Sequence, residues 1–176
     1  MTTATGVRAM TRRQLLARGS AAGAVLIAGP GYLLHEREAW AVEVTALAPH
    51  TMATLVLMAR DIYPHDHVPD RFYAEAVKVH DTASATDTTV RDGFENGVAD
   101  LDARARERGA ADYVSTGWEA DRGARLRGIE ATAFFQTVRS GLVVGLYNQK
   151  ALWPLFGYEG SSHEHGGYLH RGFDDI

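Results

Sequence analysis

Apolar residues recur every three to four positions through most of this chain, the spacing that lines one face of an α-helix. Met52, Leu55, Val56, Ala59, Ile62 and Tyr63 keep that spacing between Pro49 and Pro64, so a helix is expected from about Thr51 to Tyr63. Pro64-His65-Asp66-His67-Val68-Pro69-Asp70 reads as a proline-bounded loop. Asp70 is placed to cap a second helix carrying Phe72, Tyr73, Ala76, Val77 and His80. Thr82 to Thr88 is polar and β-branched and reads as a connector. Val90, Phe94, Val98, Leu101 and Ala105 mark a third helix that ends at Gly109. Thr116-x-x-Glu119 has the pattern of a capping box for a shorter helix through Leu126. Ile129 to Tyr147 is the strongest pattern, with Phe134, Phe135, Val138, Leu142 and Val143 as its expected buried face.

No run alternates polar and apolar residues long enough to suggest a sheet, and no internal repeat is visible. Beyond Asn148 the helical spacing stops. Trp153-Pro154-Leu155-Phe156-Gly157-Tyr158 and Gly166-Gly167-Tyr168 exclude a long helix, while their rings are too many for a solvated tail. The expected fold is therefore all-α: a small helical bundle with an extended, aromatic and glycine-rich C-terminal segment. Gly141 and Gly145, one helical turn apart, would let another helix approach closely.

The N-terminus has a different pattern. Thr11-Arg12-Arg13-Gln14-Leu15-Leu16 runs into an apolar stretch, Gly19 to Leu34, that is diluted by glycines and Pro30. Arg8, Arg12, Arg13 and Arg18 precede the first acidic residue, Glu36. Ala39-Trp40-Ala41 is a small-x-small cleavage motif. Together these read as a twin-arginine export signal over residues 1–41, with the mature domain covering 42–176 and its tail 148–176. The twin-arginine translocase carries proteins already folded, so the expected location is the periplasm. An uncleaved anchor is the competing reading, but the apolar stretch falls short of the ~20 residues that span a bilayer.

Removing residues 1–41 takes away five arginines and two glutamates from 18 basic and 22 acidic side chains, which moves the net charge from −4 to −7. An acidic domain of about 135 residues is large enough for one core and poorly suited to nucleic acid, whose phosphates call for a basic face. The sequence contains no cysteine, which excludes disulfides, thiolate clusters and C-x-x-C-H haem attachment in this chain. The histidines cluster as His65-Asp66-His67 and His163-Glu164-His165, with His170 nearby. A zinc or copper site would need both pairs to converge. A stand-alone periplasmic metal-binding or sensing module is accordingly the second functional reading. No G-x-S-x-G elbow and no H-E-x-x-H motif occurs, and Gly141-Leu142-Val143-Val144-Gly145 has no strand before it, so no catalytic or cofactor-binding residue is assigned. Asp121, Arg122, Arg125 and Arg127 read as a solvated helix face.

Several segments taken together resemble the gluconate 2-dehydrogenase subunit 3 family. They are Ile62-Tyr63-Pro64-His65-Asp66, Phe134-Phe135 with Arg139, Gly145-x-Tyr147, Trp153 leading to Gly157-Tyr158-Glu159-Gly160, and Gly167-Tyr168-Leu169-His170-Arg171-Gly172-Phe173-Asp174-Asp175. The resemblance covers most of residues 45–176. It implies a non-catalytic small subunit that accompanies a large FAD-carrying dehydrogenase of the glucose-methanol-choline type. In such complexes a cytochrome c subunit with haem c often takes the electrons, and the small subunit supplies the export signal and helps maturation. It also implies that the tail meets the partner through Tyr147, Trp153, Phe156, Tyr158, Tyr168, His170, Arg171, Phe173 and Asp174. On physical grounds these rings either seal the chain's own bundle or anchor an interface, for which Trp, Tyr, Phe and Arg are the enriched residue types.

Overall fold

The computed structural model describes residues 40–167, together with the backbone of two short strands at 25–27 and 32–35. Five α-helices form the body among these residues: α1 Pro49–Ile62, α2 Asp70–Thr86, α3 Thr88–Arg106, α4 Glu119–Arg127 and α5 Ala133–Tyr147. Two 3-10 turns, Lys150–Phe156 and Ser162–His165, follow α5. The all-α expectation holds. The tail departs from the extended form expected of it, because Lys150–Phe156 coils around the buried Leu152.

The helices bury the stripes their spacing marks. Met52, Leu55, Val56 and Ala59 of α1 meet Tyr73, Ala76 and Val77 of α2, Phe94 and Leu101 of α3, and Phe135, Val138, Leu142 and Leu146 of α5 in one core. Helix α5 begins later than expected, at Ala133, where Thr132 accepts a hydrogen bond from the Phe135 amide. Its buried face also rotates away from Val143, which is 51% exposed, toward Leu146.

Two expected caps and one expected connector are replaced. Asp70 is the first residue of α2 rather than its cap, and its carboxylate takes a hydrogen bond from Arg60 Nη1 at 2.5 Å. Thr116 is buried and donates to the Asp112 carbonyl, so α4 starts from Trp118 with no side-chain cap. The run from Thr82 continues α2 as far as Thr86 instead of forming a connector. Asp87 then closes α2 and caps α3, its Oδ1 accepting from the amides of Thr89 and Val90.

Helices α2 and α5 make the most extensive interhelical contact among the described residues and run antiparallel, with Gly145 against Ala76 and Gly141 against His80. A β-carbon at Gly145 would lie 2.7 Å from the Ala76 carbonyl oxygen. The two glycines therefore do what their spacing suggests, bringing two backbones close enough that side chains no longer separate them.

Three short strands precede α1: β1 Val25–Ile27, β2 Tyr32–His35 and β3 Trp40–Glu43. They form an antiparallel meander in the order β1-β2-β3, with Leu26 opposite Leu34 and Leu33 opposite Val42. The expectation of no sheet fails here because strands of three or four residues are too short to show alternation in sequence. Ala41, one of the expected cleavage residues, pairs with Leu34 in this sheet. Arg12, Arg13 and Ala39 lie outside the described residues.

The link from β3 to α1 is fixed by one carboxylate. Asp81 of α2 accepts hydrogen bonds from the Thr45, Ala46 and Leu47 amides and from the Thr45 hydroxyl, at 2.8–2.9 Å. Burial pushes the Asp81 carboxyl upward, but these donors outweigh it and hold the group below its ordinary 3.8. A depressed carboxylate contributes stability above its unfolded pKa and loses it as pH falls through the folded value. Asp81→Asn should therefore cost about 2 kcal/mol at pH 7, from weakened charge-assisted bonds. Thermal melts of variant and wild type should converge as pH falls below the ordinary 3.8; a gap that stays constant with pH would rule out the charge as the cause.

Candidate functional site

Pro64 ends α1 by removing the next amide donor, and the chain turns through Pro64 to Pro69 before α2 begins. Tyr73 of α2 staples this loop, its hydroxyl donating to the Tyr63 carbonyl at 2.6 Å and accepting from the His65 amide at 3.2 Å. Arg60 ties the far side by donating to the Val68 carbonyl. The loop is thus rigid at both ends, and its two imidazoles point toward α5 and the segment after it.

Tyr147, the last residue of α5, places its hydroxyl 2.8 Å from His65 Nε2. Burial, then His67 and Arg60, lower the His65 pKa, so the ring is neutral at pH 7 and able to pair with the phenol in either tautomer. Phe156 sits against three of these rings, with centroids 5.1 Å from His65, 5.7 Å from His67 and 5.6 Å from Tyr147. Tyr63 meets Tyr147 edge-on at 5.8 Å. Such edge contacts add about 0.5–1.5 kcal/mol each beyond the area they bury.

The chain between Tyr147 and Phe156 is held just as closely. Gln149 donates to the carbonyls of Phe72 and Gly145, and Trp153 Nε1 donates to the Tyr147 carbonyl at 3.0 Å. Gly157 adopts φ +69°, a left-handed turn that sends the chain back so that Tyr158 packs edge-on against Trp153 at 5.1 Å. Despite these contacts, Leu155, Phe156 and Tyr158 remain 46%, 38% and 46% exposed. Phe156 and Tyr158 thus have rings held by neighbours yet open to solvent, with Leu155 exposed next to Phe156 in the chain.

Beside these rings lies a polar cleft of about 200 Å³ lined by Arg60, Asp61, Pro64, His65, Asp66, Glu119 and Arg122. Its floor is a buried ion pair: Arg122 Nε and Nη2 donate to the two Asp61 oxygens at 2.7 and 2.8 Å. Tyr113 adds a hydrogen bond to Asp61 at 2.6 Å, and burial followed by the Asp61 charge drives the Tyr113 pKa upward. The reading of Arg122 and Arg125 as solvated is therefore corrected, since both are buried; Asp121 and Arg127 are exposed as expected. Arg122, Arg125, Leu126 and Ile129 share helical spacing, so the signal was present, but two arginines within that stripe disguised it as a charged face.

Of the expected interface residues, the structure brings Tyr147, Trp153, Phe156 and Tyr158 into one assembly with His65 and His67. Tyr168, His170, Arg171, Phe173 and Asp174 lie outside the described residues. His163 is exposed, and among the described residues no three acidic or histidine side chains come together to hold a metal ion. No helix among the described residues is long and apolar enough to cross a membrane. No protein-family model, curated protein or solved structure matches the chain.

Proposed function

We propose that this chain is a non-catalytic, partner-binding subunit of a periplasmic oxidoreductase complex. It exports, matures and stabilises a large FAD-carrying subunit of the glucose-methanol-choline type that oxidises a sugar or sugar acid. A cytochrome c subunit with haem c completes the electron path. The observation that carries this reading is the pair of exposed, preorganised rings, Phe156 held by His65, His67 and Tyr147, and Tyr158 held by Trp153, with Leu155 exposed beside Phe156 in the chain. Rings that are locked before binding lose little rotamer freedom on binding, which is the condition under which aromatic anchors contribute most. The twin arginines at Arg12 and Arg13, ahead of a domain with no catalytic motif, support an address that serves a folded partner.

The test is co-expression with a signal-less flavoprotein oxidoreductase of that type. Arg12→Lys with Arg13→Lys should leave both proteins in the cytoplasm, and Phe156→Ala should weaken their association on the order of thirtyfold, the effect of losing a ~2 kcal/mol anchor. A flavoprotein that reached the periplasm beside the lysine variant, or bound the Phe156 variant unchanged, would remove the proposal.

A further inference from the structure

His80 stands at the junction of three helices with an incomplete set of partners. It lies on α2, is 7% exposed, and its Nε2 has no hydrogen-bond partner among the described residues. Its ring lies against Phe94 of α3, centroids 4.6 Å apart. On the other side it fills the notch left by Gly141 of α5, where a β-carbon would lie 2.9 Å from Cε1 and 3.1 Å from Nε2. A neutral imidazole tolerates this place at the modest cost of one unmet acceptor. An imidazolium would bring a buried charge and a donor with nothing to receive it.

Neither α3 nor α5, which hold the ring, offers compensation. Phe94 and Gly141 carry no charge, and the carboxylate next to His80 in sequence, Asp81, is committed to the amides of residues 45–47. Glu95 of α3 is likewise engaged with the Ala48 amide and the Thr51 hydroxyl. Burial alone lowers the imidazole pKa, to about 4, with no charged side chain contributing.

We propose that His80 is an acid switch: protonation drives α5 away from α2 and opens the bundle along the seam that Gly141 and Gly145 keep closed. The sign follows from the direction of the shift. The folded value lies below 6.5, so the opened form takes the proton first, and the closed form loses stability as pH falls from 6.5 toward 4. Within that window the open fraction rises about tenfold per pH unit, on the order of a hundredfold in all. Asp81 acts separately, below its ordinary 3.8. Because α5 ends at Tyr147, opening also frees the phenol that meets His65. The switch belongs to the chain itself and does not depend on the partner reading.

Hydrogen exchange of the full chain at pH 6.5, 5.5 and 4.5, corrected for intrinsic rates, tests it. Amides in 76–84 and 138–146 should lose protection about tenfold per unit in the wild type, while His80→Leu should lose far less over the same range, keeping only the smaller dependence that His65, also held below 6.5, brings. A titration of the His80 Cε1 proton by NMR in the wild type, which needs no variant to fold, should show a midpoint near 4. Equal losses in wild type and His80→Leu, unchanged wild-type protection, or an ordinary His80 midpoint with the helices still closed would each overturn the switch.

Discussion

Gly145→Val should cost about 3 kcal/mol or more and lower the thermal midpoint by roughly 10 °C. The reason is geometric. The first atom added at Gly145 meets the Ala76 backbone oxygen at 2.7 Å, and the Ala76 Cα and carbonyl carbon lie within 3.3 Å of the same point. Backbone cannot rotate aside as a side chain can, so α2 and α5 must separate, and core side chains such as Tyr73, Val77, Leu142 and Leu146 lose packing together. Gly93→Ala in α3 is the control, because nothing lies within 4 Å of its added carbon. Replacing that helical glycine should raise stability by up to ~1 kcal/mol. If both variants shifted the melting point alike, the close approach of α2 and α5 would not be what Gly145 provides.

Arg122→Met should be comparably damaging, about 3–5 kcal/mol, because it strands the Asp61 carboxylate. That side chain is buried and takes two of its hydrogen bonds from the guanidinium. Burial opposes the Arg122 charge, but the Asp61 bonds prevail and raise the arginine above its usual value. The pair itself need not add stability over apolar residues; what is costly is half of it. Arg122→Met combined with Asp61→Asn should therefore recover most of the loss, since an amide oxygen at position 61 still accepts from the Tyr113 hydroxyl. Urea unfolding of the two single variants and the double variant measures this directly. A single Arg122→Met change costing under ~1 kcal/mol would mean that water reaches Asp61 and the pair is not structural.

The stripes of three helices were readable in the sequence because they are unbroken, although the start of α5 and the end of α3 were each misplaced by a few residues. Pro49 and Pro64 bound α1, the run from Phe94 to Ala105 gives α3, and Phe135 to Leu146 gives α5. The second half of α2 was not readable. Thr82 to Thr86 favours turns locally, and tertiary burial of Asp81 and Ser84 overrides that preference. Buried Arg122 misled for a related reason: a charge inside reads as a charge outside until its partner, 61 residues away, is known. The aromatic segment was recognisable as a feature, and so was the Tyr63-Pro64-His65 loop. That the loop cages Phe156 was not, because about 90 residues separate them and no local pattern encodes such a meeting.

Phe156 reaches its cage by a fixed count of residues. Tyr147 is pinned by His65, Gln149 by the Phe72 and Gly145 carbonyls, Trp153 by the Tyr147 carbonyl, and the left-handed Gly157 turns the chain immediately afterwards. This stretch is therefore a ruler, although it has the look of a surface tail. Its individual letters have room to drift, whereas one residue added or removed between Tyr147 and Phe156 puts the ring out of register with both imidazoles. Any natural protein built on this plan should keep that interval constant even where its helices have diverged.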